Sequence, residues 1–141
     1  MNVVAELMDL SSLTALEVGR VGENLAAYYL EVNGINCSIV DRRGADIWCR
    51  HPSGKMFDME VKSTRKLHYA ESLKASRYSF VINKKEANQF MLTCLETNKF
   101  RILSRDTVIG RLSGHNLHMK PKEFTEENMV ADIHSILEEY A

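Results

Sequence analysis

The run Phe57-Asp-Met-Glu-Val-Lys62 alternates apolar and polar residues. On an extended strand Phe57, Met59 and Val61 point one way, while Asp58, Glu60 and Lys62 point the other. Glu60 and Lys62 are then neighbours, a carboxylate beside an ammonium group. Such a pair is common on solvated strand edges and carries little weight alone. The preceding run, Ala45 to Arg50, strengthens it. Asp46 lies opposite Glu60 if the connecting loop has an odd number of residues centred near Ser53; a turn of Ser53-Gly54 alone would face it the other way. His51-Pro-Ser-Gly-Lys55 suits a three- or five-residue loop. Two carboxylates converging from adjacent strands repel each other unless a cation neutralises them. Magnesium takes hard oxygen ligands and keeps several waters, so Asp46, Glu60 and the Val61 carbonyl suffice to hold it.

Other residues invite chemistry less strongly. Trp48 shares the face of Asp46 on a regular strand, where it either packs on the sheet or stacks on a base. Asp41 is an alternative ligand, although its place before Arg42-Arg43-Gly44 favours a turn. His115 and His118 have a zinc-like spacing without a matching Cys or His pair. Cys37, Cys49 and Cys94 are isolated in sequence among apolar neighbours, as expected of buried thiols in a reducing compartment. Ser63, Thr64 and Arg65 follow the Glu60 strand directly and are positioned to meet phosphate. Between Lys62 and Lys85 the basic residues Lys62, Arg65, Lys66, Lys74, Arg77, Lys84 and Lys85 face a single acid, Glu71. That segregation makes either a phosphate-facing patch or a solvated loop.

The elements that must position these groups are partly legible. Thr14-Ala-Leu-Glu17 has the form of a capping box. A helix follows with Val18, Val21, Leu25, Tyr28, Tyr29 and Val32 at helical spacing, stopped by Asn33-Gly34. Strands are expected over 35–40, 45–50 and 56–62, with a short extended piece over 78–82. Asn83 is placed to cap a second helix reaching Thr97, with Ala87, Phe90, Met91, Cys94 and Leu95 on its buried side. Strands over 100–103 and 107–112 follow, 114–122 shows no pattern, and Thr125 caps a final amphipathic helix.

The 141 residues suit one domain, with 45% hydrophobic and 26% charged residues, an ordinary globular balance. The net charge of −1 is not that of a generic nucleic-acid binder. No apolar stretch is long enough to span a bilayer, and Glu6 and Asp9 break any export signal at the start, so a cytoplasmic protein is expected.

Three segments together, Gly22-Glu-Asn-Leu-Ala-Ala-Tyr-Tyr-Leu30 with Gly34, Gly44-Ala-Asp-Ile-Trp48 and Phe57-Asp-Met-Glu-Val-Lys-Ser-Thr64, resemble the PD-(D/E)XK nuclease superfamily. The spacing is similar to that of small stand-alone members such as Holliday-junction resolvases, and covers residues 16–103. The resemblance implies a restriction-endonuclease-like α/β fold, a mixed sheet flanked by helices in core order αβββαβ. One domain would then have its core over 14–104 and an extension with an extra C-terminal helix over 105–141. It also implies magnesium-dependent hydrolysis of phosphodiester bonds in DNA, including branched forms, with manganese able to substitute. The helix acid of the family matches Glu23, the first-motif aspartate Asp46, and the second-motif acid and lysine Glu60 and Lys62. A glutamine near the family's site matches Gln89. Ala45 replaces the proline of the family name. Small members often pair as homodimers. The competing expectation is a catalytically silent nuclease-fold module that binds nucleic acid or a protein.

Overall fold

A computed structural model describes residues 10–42, 45–65, 67–70 and 74–141. Helix α1 (Ala15–Glu31) begins at the expected capping box: Thr14 Oγ1 accepts from the Glu17 N–H at 3.2 Å, and Glu17 Oε1 from the Thr14 N–H at 3.0 Å. It ends where Gly34 adopts a positive φ of 86°. The buried stripe differs from the expected one. Val18, Gly22, Ala26 and Leu30 are buried, while Val21, Tyr28 and Val32 are exposed. The reason is close approach: the helix lies so near the sheet that the small residues Gly22 and Ala26 form its contact line.

The strands are β1 (Asn36–Arg42), β2 (Ala45–Arg50), β3 (Met56–Thr64), β4 (His68–Ala70), β5 (Ala75–Val81), β6 (Gln89–Cys94), β7 (Lys99–Ser104) and β8 (Asn116–Met119). Five of them make a mixed sheet in the order β1-β2-β3-β6-β7, in which only β3 and β6 run parallel. The other three make a small antiparallel sheet, β4-β5-β8. Two short helices, α2 (Arg105–Arg111) and the longer α3 (Glu126–Glu139), complete the α/β architecture. The C-terminal helix starts as expected, with Thr125 Oγ1 accepting from the Asn128 N–H at 3.1 Å.

Two expected elements are different. Residues 83–97 do not form a helix, so the αβββαβ order is not followed there; strand β6 lies in that stretch, preceded by the β4–β5 hairpin. Every residue of β6 is buried, because the strand is central and covered on both faces. The expected strand over 107–112 is helix α2, capped by Ser104 Oγ, which accepts from the Thr107 N–H at 3.2 Å.

Helices α1 and α3 cover one face of the large sheet, where Ala26, Leu30, Ile47, Met59, Met91, Phe100 and Ile136 form one core. On the opposite face the small sheet and α2 cover the β6–β7 half, through Phe80, Phe90, Leu92, Val108 and Leu117. Strands β6 and β7 contribute to both cores, Met91, Phe100 and Ile102 to the first and Phe90, Leu92 and Leu103 to the second.

The β2–β3 turn holds five residues, His51 to Lys55, and pairs Ile47 with Met59 and Cys49 with Phe57. The end of α3 braces that turn. The Leu137 carbonyl accepts from His51 Nε2 at 2.8 Å, whose Nδ1 accepts from the Ser53 N–H at 2.9 Å. Ser53 Oγ donates to the Tyr140 carbonyl at 2.7 Å, and the Tyr140 ring stacks on Phe57 with centroids 4.2 Å apart.

A Cβ on Gly22 would lie 1.7 Å from Ser63 Oγ and 2.8 Å from Ser63 Cβ, whereas one on Gly19 in the same helix meets nothing within 4 Å. Gly22→Ala should therefore lower unfolding free energy by about 1–3 kcal/mol, overpacking outweighing the helix-propensity gain. Gly19→Ala should raise it by roughly 0.5–1 kcal/mol. Denaturant melts of the two variants read the contrast, and equal shifts would contradict the packing at Gly22.

Candidate active site

The register Ile47↔Met59, continued by one residue, sets Asp46 opposite Glu60. The side chain of Asp46 confirms the placement, its Oδ2 accepting from the Val61 N–H at 2.8 Å. A strand residue's N–H and C=O point to the same side, so the Val61 carbonyl faces the β2 side as well. Lys62 Nζ stands 3.4 Å from Glu60 Oε1, with the Glu60 side chain 8% exposed and that of Lys62 33%. Glu60 Oε2 is buried without a hydrogen-bond partner among the described residues. A buried carboxylate oxygen left in this state costs roughly 1–3 kcal/mol or more, and a cation is the partner its chemistry suits. Burial raises the Glu60 carboxyl above its ordinary value of 4.5; Lys62 opposes the shift, the Asp46 charge adds to it, and Lys84 opposes it from a greater distance.

The other expected site residues are placed as follows. Glu23 lies on α1, which packs against the sheet face of Val61 and Ser63, opposite to Glu60. It lines a groove of about 330 Å³ with Arg20, Ile39 and Val40. Among the described residues no three His, Cys, Asp or Glu side chains gather as a metal-holding group. Gln89, expected within a helix, lies on a strand. It opens strand β6 opposite Met59, on the helix-covered face, and its Nε2 donates to Glu139 Oε2 at 2.9 Å and to the Tyr140 hydroxyl at 3.1 Å. Gln89 thus anchors the C-terminal helix away from Glu60.

The basic segment divides. Ser63 turns under Gly22 and shares a hydrogen bond with the Thr93 hydroxyl at 2.5 Å. Arg65 donates to the Leu13 carbonyl at 2.7 Å, tying the start of the chain to the end of β3. Thr64 shares the face of Lys62 by strand alternation. Lys84 is exposed and within electrostatic reach of Glu60, with half-buried Lys85 beside it. Lys74 sits exposed before β5 with φ 49°, and Arg77 lies on β5 near His118. Lys66 and the side chain of Asp41 lie outside the described residues. His118 Nδ1 bonds with Ser79 Oγ at 2.9 Å, and no zinc-like group includes it among the described residues. The three cysteines are free; Cys49 and Cys94 are buried and Cys37, opposite Cys49, is half-buried.

No family model matches the chain, and no curated protein matches it. Among solved structures it is similar to that of a bacterial homing endonuclease, I-Ssp6803I, at 18% identity, covering 90% of this chain and 94% of that one with a TM-score of 0.65. That likeness shows a shared nuclease-like fold. No helix among the described residues is long and apolar enough to cross a membrane.

A raised carboxyl binds its proton more tightly in the folded than in the unfolded chain. Glu60 therefore contributes stability that is fully present below its ordinary value of 4.5 and is lost as pH rises from there through its raised value. Thermal melts in chelator between pH 4 and 8 should show Glu60→Gln gaining on the native chain across that window. Parallel curves would contradict the burial of an ionising Glu60.

Proposed function

We propose that this protein is a divalent-metal-dependent nuclease acting on DNA, with Asp46, Glu60 and Lys62 as its catalytic residues. The observation that carries the reading is the Glu60 carboxylate, buried with one unpartnered oxygen, facing Asp46 across a hairpin register and Lys62 along its own strand. Asp46, Glu60 and the Val61 carbonyl would hold magnesium, or manganese in its place. A divalent ion there supplies Lewis-acid polarisation of phosphate oxygen and a lowered pKa for bound water.

The chain's own groups do the rest. The Val61 N–H fixes one Asp46 oxygen, so the carboxylate is oriented before any substrate arrives. Lys62, a third exposed, reaches both Glu60 and solvent. From there it orients the attacking water and stabilises negative charge that grows on the phosphate. Lys84 draws the phosphate backbone towards the acid pair, which would otherwise repel it. DNA as substrate rests on the shared fold of a bacterial homing endonuclease and on the resemblance of the three motifs. A homodimer would bring two such sites to two strands.

The competing reading is a catalytically silent module of the same fold that binds nucleic acid or a protein. Incubation with plasmid, single-stranded and four-way-junction DNA separates the two. The native chain should cut in magnesium or manganese and not in chelator. Glu60→Ala should abolish cutting, and Lys62→Ala should slow it by about 10²–10⁴-fold, the usual worth of a positioned proton-transfer group. Full activity in either variant would remove the assignment, and binding without cutting in every metal would establish the silent module. Lys84→Ala should weaken binding and lower the salt slope by about one; an unchanged slope would take Lys84 off the phosphate path.

A further inference from the structure

Residues 82–88, which connect β5 to β6, have no regular secondary structure. Connecting stretches of that kind are ordinarily the mobile part of a domain. This one is fixed at both ends. Ile82 is fully buried, and its N–H donates to the His115 carbonyl at 2.7 Å. Ala87 is fully buried as well. Between those anchors Asn83, Lys84, Lys85 and Glu86 run along the surface, with Lys84 exposed.

The second end is tied through Asn88. Its N–H donates to Asp58 Oδ1 at 2.6 Å, and its Oδ1 accepts from the Asp58 N–H at 3.1 Å. Its carbonyl accepts from the Arg105 N–H at 3.1 Å, and Arg105 Nη1 donates to the Glu86 carbonyl at 3.0 Å. Strand alternation explains the place of this clasp. The Val61 N–H points to β2, where Asp46 receives it, so the N–H of Asp58, three residues earlier, points to β6. The β3–β6 ladder begins one step later, at Met59 with Gln89. The Asn88 side chain therefore takes the place of a ladder partner for Asp58, and Asp58 answers with its carboxylate. An N–H bonded to a carboxylate is held about twice as strongly as one bonded to a neutral acceptor.

Asp58 precedes Glu60 by two residues on the same face of β3, roughly 7 Å along the strand. Lys84 lies four residues before Asn88, a span of at most about 14 Å. The clasp thus couples a cation on an irregular segment to the strand that carries Glu60 and Lys62. A lysine whose backbone is already fixed loses less freedom when a phosphate reaches it than one on a loose segment.

We propose that the reciprocal Asp58–Asn88 clasp, buttressed by Arg105 of α2, is a positioning device for the DNA backbone that holds Lys84 beside the Glu60 edge of the site. The proposal rests on the nuclease reading above and adds two positioning residues to it. Asp58 and Asn88 act on the substrate only through Lys84.

Asp58→Ala and Asp58→Asn remove the same charge, but asparagine keeps an acceptor for the Asn88 N–H, so the pair isolates the clasp. Without DNA, trypsin should cut after Lys84 and Lys85 faster in Asp58→Ala than in Asp58→Asn or the native chain, read by mass spectrometry. In chelator, affinity for labelled DNA, duplex and single strand in parallel, should be about 2- to 12-fold weaker in Asp58→Ala than in Asp58→Asn, the range for ordering one long side chain. In a Lys84→Ala background the two should bind alike, because the cation that the clasp places is gone. A merely structural role would leave that difference in place. With magnesium the change should fall on KM and not on kcat. If Asp58→Ala fails to fold, Asn88→Ala, which lacks the acceptor for the Asp58 N–H, should show the same dependence on Lys84. Equal affinity of the two Asp58 variants, or a difference that survives the loss of Lys84, would overturn the positioning role, and continued cutting by the native chain would leave the nuclease standing. A native chain that neither binds nor cuts any DNA would sink both.

Discussion

The pairing of Asp46 with Glu60 depends on the length of one turn. Side chains alternate along a strand with a period of two, so each residue added to or removed from the stretch His51–Lys55 would exchange the faces of one strand relative to the other. With five residues, both carboxylates share a face, and the apolar set Ile47, Cys49, Phe57 and Met59 shares the opposite one. The burial of that apolar set makes any other register expensive. The acids are therefore held together by hydrophobic residues that never touch them. The end of α3 reinforces the same turn, Leu137 and Tyr140 bonding to His51 and Ser53 from more than eighty positions away in sequence.

Within that frame the electrostatics are unbalanced in a directed way. Lys62 neutralises one Glu60 oxygen, the Val61 N–H occupies one Asp46 oxygen, and Glu60 Oε2 is left in a dry environment. A purely structural Glu–Lys pair would sit better exposed, where the desolvation cost disappears. The net charge of −1 is compatible with a phosphate-directed surface because the relevant cations, Lys62 and Lys84, are concentrated beside the acids.

Much of the site's backbone was legible in the sequence because its signals are local. The Thr14 and Thr125 caps, the Gly34 stop, the 45–50 and 56–62 strands and the odd loop all follow from short-range geometry. The failures arise where tertiary burial overrides periodicity. Ala87, Phe90, Met91, Cys94 and Leu95 have helical spacing, yet a central strand buried on both faces is also continuously apolar, and the two readings coincide over six residues. Gln89 was misplaced as a direct result. Helix α2 was hidden by the β-branched Thr107, Val108 and Ile109, although Ser104 before Asp106, with Arg111 in the last turn, carries cap and dipole signals. The role of Glu23 rests on which side of the sheet α1 packs, which no local pattern encodes. Nor does local pattern tell that Ser63 turns beneath a glycine and Arg65 towards the chain start.

Among the described residues no strand lies beyond β1 at the end of the large sheet, and its Cys37 N–H donates to Glu31 Oε1 at 2.7 Å. The pairing with β2 is regular from Asn36 to Ile39 and then shifts before Arg42. Such a bulge coils the strand more tightly and interrupts the even spacing of its free N–H and C=O groups. Only four residues then offer a flat template, too little for another chain to extend the sheet in register. The irregularity therefore leaves this edge a poor template for the addition of a further strand.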